Sequence, residues 1–122
     1  MKIFSSDLEE DLDISKNRLS AEEIIKNFYE LYDEQGSFWG IEDDDGTILQ
    51  FYWLQDDIWL VDIPVPPTFI NYQKKADYEE CTLIIKNILK EKKVHTISGM
   101  IRVDTMKTTL DEEIKNNALK LG

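Results

Sequence analysis

Residues 38–63 read FWGIEDDDGTILQFYWLQDDIWLVDI, and this stretch decides how the chain folds. It contains all three tryptophans, Trp39, Trp53 and Trp59, in apolar runs that alternate with polar residues and are separated by acidic turn strings. Such alternation places successive side chains on opposite faces and is the pattern of an antiparallel meander.

Residues opposed across an antiparallel pair share a face, so the apolar pattern tests the length of the first turn. A two-residue turn at Asp45-Gly46 would oppose Ile41 to Gln50 and Glu42 to Leu49, mixing the faces. A three-residue loop, Asp44-Asp45-Gly46, with Gly46 as a left-handed bulge residue, opposes Ile41 to Leu49 and Trp39 to Phe51. The longer loop is therefore expected. Trp39, Ile41, Leu49, Phe51, Trp53, Trp59, Val61 and Ile63 then form a core face. Phe38, Glu42, Ile48, Gln50, Tyr52, Ile58, Leu60 and Asp62 form the reverse face.

Upstream, Met1–Phe4 is read as a short strand and Asp7–Asp13 as an acidic loop. Ser20-Ala21-Glu22-Glu23 is a capping box that opens a helix with Ile24, Ile25, Phe28, Leu31 and Tyr32 on one side. Lys26, Asn27, Glu30, Asp33 and Glu34 occupy its other side, and Gly36 is expected to close it. Downstream, Pro64, Pro66 and Pro67 end the third strand, and residues 68–75 read as a loop carrying Phe69 and Tyr72. Asp77-x-x-Glu80 caps a second helix striped by Tyr78, Cys81, Ile84, Ile85, Ile88 and Leu89. Residues 94–103 read as one or two strands, and Thr109-x-x-Glu112 opens a last helix with Leu110, Ile114, Ala118 and Leu121 at helical spacing. The expectation is an α+β fold, residues 1–122 as a single domain. It has an antiparallel meander of about four or five strands packed on one face by two or three helices.

The 122 residues carry a net charge of −11, which disfavours nucleic acid and anionic membranes as partners. Residues 1–62 hold 17 acids against four bases, whereas residues 63–122 balance at +2. One cysteine, Cys81, cannot form an internal disulfide, and no leader-like or membrane-length apolar run is present. A reducing, cytoplasmic setting is expected.

Asp43-Asp44-Asp45-Gly46-Thr47-Ile48-Leu49 matches the DxDGTxL box of haloacid-dehalogenase-type phosphatases, in which the first Asp is the nucleophile and Mg²⁺ sits beside it. In that family the box follows a buried parallel strand of a larger α/β domain, whereas a hairpin surrounds it here. The same acids fail as a calcium loop, because Ile41 would fall at the first ligand position and Tyr52 at the twelfth. His95 is the single histidine, and Cys81 lies on an apolar stripe, the usual place of a structural thiol. No catalytic, cofactor or metal residue is assigned, and no enzymatic activity is expected.

The reverse face is the candidate working surface, since exposed apolar groups beside charge mark partner sites. Its candidate contacts are Phe38, Glu42, Asp43, Asp44, Asp45, Tyr52, Asp56 and Asp57, with Asp62 completing the charged rim. The alternative is that residues 94–103 or the N-terminus cover this face. From Ser20 to Leu89 the succession of capped helix, acidic turn, the string LQFYW with Gln50, the aromatic strand with Trp59 and a second helix resembles bacterial immunity proteins of polymorphic toxin systems. Their group is often paired with deaminase or nuclease toxins. The resemblance implies an inhibitor that binds a cognate, basic toxin domain. The competing expectation is a general interaction or self-associating module.

Overall fold

The computed structural model describes residues 1–31 and 34–121, with side chains as far as residue 116. Tyr32 and Asp33, assigned above to the first helix, and the side chains of Ala118 and Leu121 lie outside the described residues. Among the described residues there are seven strands and three helices. In chain order these are β1 (Lys2–Ser5), β2 (Leu12–Asp13), α1 (Ala21–Tyr29), β3 (Phe38–Glu42), β4 (Ile48–Gln55), β5 (Ile58–Pro64), β6 (Ile70–Ala76), α2 (Tyr78–Glu91), β7 (Ile101–Asp104) and α3 (Leu110–Leu121). One antiparallel sheet runs in the order β2-β1-β3-β4-β5-β6-β7. The fold is thus α+β as expected, with more strands than the four or five anticipated.

The first hairpin has the expected register: Trp39 opposes Phe51 and Ile41 opposes Leu49. Gly46 donates its N–H to the Asp43 carbonyl and holds φ at +85°, a conformation that costs glycine little and other residues more. Trp39, Ile41, Leu49, Phe51, Trp59, Val61 and Ile63 are buried on the core face, while Trp53, near the strand end, is only half-buried. Phe28 of α1 sits at the centre of that core, with ring centroids 5.7 Å from Trp39, 5.4 Å from Phe51, 5.1 Å from Trp59 and 5.6 Å from Tyr78. The Trp39 indole N–H donates to Asn27 Oδ1 at 2.9 Å, tying sheet to helix with a polar group that would otherwise be stranded.

Four local readings change. Helix α1 stops at Tyr29 instead of running to Gly36: Leu31 N–H bonds back to the Phe28 carbonyl and tightens the last turn, and Gly36, at φ +96°, belongs to the approach to β3. Leu12–Asp13, read as loop, adds a two-residue edge strand to β1. Residues 68–75 are not a loop, because Ile70–Ala76 form β6, paired to β5 from Trp59–Ala76 through Pro64–Asn71. Of residues 94–103 only Ile101–Val103 are strand, and Val94 is instead held by a side chain from the first hairpin. Ser20 caps α1 with the full reciprocal box as read, whereas Asp77-x-x-Glu80, read as a second capping box, shows its Asp77 half: Asp77 accepts from Glu80 N–H at 2.8 Å and the Glu80 carboxylate pairs with Lys74.

A candidate protein-binding face

Helices α1 and α2 lie on the core side, and the other side of the sheet is covered unevenly. At the β7 end Val103 and Leu110 are both buried where α3 packs on β7, and Lys75 Nζ pairs with Asp111 at 2.8 Å. At the β1 end Phe4 lays its ring on Gly40, where a Cβ would come within 2.2 Å of that ring. Between these flanks Phe38, Ile48, Gln50, Tyr52 and Leu60 remain half-buried. The face is therefore neither fully open nor fully covered: the N-terminal strand, through Phe4, and the 94–103 segment, through Val103, each reach one flank of it.

The registers sort this face into cross-strand rows. Phe38 opposes Tyr52, which opposes Leu60, which opposes Lys75. The rings of Phe4 and Phe38 lie 6.4 Å apart and those of Phe38 and Tyr52 6.2 Å apart, an aromatic ladder across three strands. In the neighbouring row Gly40 opposes Gln50, Gln50 opposes Asp62, Asp62 opposes Gln73, and Gln73 opposes Ile101.

Asp62, expected on a charged rim, is the buried centre of this row, 2% exposed. Gln50 Nε2 donates to its Oδ2 at 2.8 Å, and Asn71 Nδ2 and Gln73 Nε2 donate to its Oδ1 at 2.7 and 2.9 Å. No cationic side chain pairs with it among the described residues. Burying a carboxylate without a counter-ion is costly, and the three amide donors are what makes it tolerable. Burial first, and then the charge of Asp62, push the Tyr52 phenol above its usual pKa, against a smaller opposing effect of Gln50.

The eight candidate contacts separate into three groups. Phe38 and Tyr52 share the aromatic row, and Glu42 stands on the same face farther along β3, opposite Ile48. Asp44, Asp45 and Asp56 are exposed in turns, the first accepting from the Met1 amino group at 2.7 Å. Asp43 and Asp57 serve the fold. Asp43 is 5% exposed: its Oδ1 accepts from Asp45 and Thr47 N–H and its Oδ2 from Val94 N–H, each at 2.9 Å. Burial by itself would raise the Asp43 carboxyl, but the amides of Val94, Thr47 and Asp45, with Lys93 nearby, hold it below its ordinary value. Asp57 accepts from Tyr78 N–H at 2.8 Å at the start of α2. The two acidic turns lie at opposite ends of β4, on the order of 25 Å apart for eight residues at strand rise, so the structure does not gather them into one patch.

Phe4, Asn71 and Gln73 were missed. Gly40 within an apolar strand was the available sign of a close approach from a neighbouring side chain. Asn71 and Gln73 were hidden by reading their strand as a loop.

What the fold defines is an α+β protein with one sheet face sealed by two helices and the other half open. No protein-family pattern, curated sequence or solved structure matches this chain. No helix among the described residues is long and apolar enough to cross a membrane.

Proposed function

We propose that this chain is a binding module that captures a basic protein domain on the half-open sheet face, acting as an immunity-type inhibitor of a toxin. The observation that carries the reading is the ladder Phe4–Phe38–Tyr52 beside a buried, cation-free Asp62, in a protein of net charge −11. Rigid aromatic groups supply contact area at low entropic cost, and surrounding carboxylates speed the approach of a cationic partner. Self-association through the same face is disfavoured, since it would bring two strongly acidic copies together with Asp62 facing like charge. A phosphatase-like role for the DDDGT string is disfavoured as well, because both oxygens of Asp43 are committed to backbone amides.

The test is co-expression with the product of the adjacent gene, followed by measurement of complex formation and its rates. The chain is expected to rescue growth. Asp44→Asn with Asp45→Asn should lower the association rate, and Phe38→Ala should raise the dissociation rate. A neighbour that is harmless and does not bind, or a complex indifferent to Phe38→Ala, would sink the proposal.

A further inference from the structure

Resting on the reading of this face as the partner surface, we propose that Asp62 and its three amides form a socket for the guanidinium of an arginine carried by the partner protein. An ionised carboxylate only accepts hydrogen bonds, so it fixes the orientation of every amide around it. Gln50, Asn71 and Gln73 all turn their NH₂ groups inward to Asp62, and their carbonyl oxygens are turned away from it. The amide oxygens of Asn71 and Gln73 accept no hydrogen bond from the described residues, and neither is sealed from solvent.

The result is a set of acceptors backed by a buried negative charge, drawn from β4, β6 and the strand between them. A ligand for it must be cationic and must donate in several directions at once. Guanidinium does both in a planar fork and also stacks on aromatic rings, whereas ammonium is a compact, strongly hydrated point charge. Tyr52 stands two residues from Gln50 on the same face and offers the ring. On the α3 side a groove of about 350 Å³ lined by Leu60, Val103 and Leu110 reaches Gln73, alone of the three amides, and its one cation, Lys75, is paired with Asp111. The guanidinium need not touch Asp62: it meets the outward carbonyls, while the carboxylate behind them supplies the field in a poorly solvated site.

The probe is a short arginine-only peptide, titrated into the ¹⁵N-labelled full chain while the side-chain amide resonances of Gln50, Asn71 and Gln73 are followed. Saturable shifts of these resonances are expected, roughly tenfold weaker with a lysine-only peptide of equal length. Asp62→Asn should abolish them, and Gln50→Met, which keeps the buried charge and removes one outward carbonyl, should weaken them several-fold. If Asp62→Asn does not give a folded spectrum, Gln50→Met decides. Equal response to both peptides, shifts that survive in folded variants, or no shift at the three amides would each overturn the socket. Shifts confined to the turns at 43–46 and 55–58 would overturn it too, yet leave capture of a basic partner standing. Failure of that broader reading is seen separately, as loss of rescue and of complex with the neighbouring gene product.

Discussion

Replacing Asp43 by alanine removes the acceptor for three backbone amides at once. Two of them, Asp45 and Thr47, lie in the first turn and can turn to water; the third, Val94, is 2% exposed and cannot. A stranded buried donor costs about 1–3 kcal/mol, and each turn bond adds about 0.5–1.5 kcal/mol, so Asp43→Ala should destabilise by roughly 3 kcal/mol. For 122 residues the unfolding entropy is about 0.26 kcal/mol/K, and the melting temperature should drop by roughly 12 °C. Asp43→Asn should cost nearly as much, because one of its two head atoms becomes a donor facing donors. Asp45→Asn, at an exposed position, should change stability by less than about 0.5 kcal/mol.

The effect also has a pH signature. Asp43 titrates below its ordinary 3.8 in the folded chain, so its contribution is fully present above that value and is lost as pH falls through the lower, folded-state pKa. The gap in melting temperature between the parent and Asp43→Ala should therefore be constant at neutral pH and narrow in acid below about 4. Thermal unfolding followed by circular dichroism across that range measures both. A loss under about 3 °C, or a gap that does not respond to acid, would refute the assignment of Asp43 to the fold. A stable Asp43→Ala chain that had lost its partner would return the residue to the surface role expected from sequence.

Other outcomes follow from individual contacts. Gly40→Ala should cost about 1–3 kcal/mol by displacing the Phe4 ring, and Phe4→Ala in the same chain should recover part of it, a coupling visible in urea midpoints of the double-mutant cycle. Cys81 is buried, and burial first, then the carboxylates of Glu80, Asp77 and Asp57, push its thiol far above the usual range. It should resist a chromogenic disulfide reagent at pH 8 until urea unfolds the chain; fast native labelling would contradict the packing. Lys92 closes α2 at φ +58°, where a side chain is strained, so Lys92→Gly should raise the melting temperature by a few degrees.

Much of the sheet was legible because parity is a strict rule wherever one face is apolar. A slip at Asp44-Asp45-Gly46 would have put Gln50 into the core opposite Ile41, and that alone fixed the hairpin. β6 defeated the same logic. In INYQKKA the apolar alternation is broken: Ile70, Tyr72 and Ala76 share one face, but Lys74 interrupts them, pairing with Glu80 at 3.1 Å and bonding to the Ser98 carbonyl, while the other face carries Asn71 and Gln73 for Asp62. Three apolar residues interrupted by a lysine leave little trace in hydropathy, and without this strand Asp62 looks like a rim charge. The capping boxes were local and therefore visible; the end of α1 depended on where Leu31 had to pack and was not.

The placement of charge also changes how recognition would work. Asp44 and Asp45 stand at one end of β4 and Asp56 at the other, roughly three Debye lengths apart at physiological salt, so they cannot act together as a mimic of a phosphate backbone. Each end attracts independently, and attraction at two ends of a face orients nothing by itself. Orientation has to come from the middle, where contact is short-ranged and side chains are held by packing. There the aromatic row would offer area and the amide row direction, since Asp62 turns three amides from the two strands beside it to the same polarity. A partner drawn in by the turns would be sorted by that row: a cation with several donors is matched, an anion meets carbonyl oxygens over a buried carboxylate, and an apolar surface leaves those oxygens unpaired. On the proposed reading selectivity would reside in the aromatic and amide rows, whereas the conspicuous DDDGT string would give a fold constraint through Asp43 and long-range attraction through its neighbours.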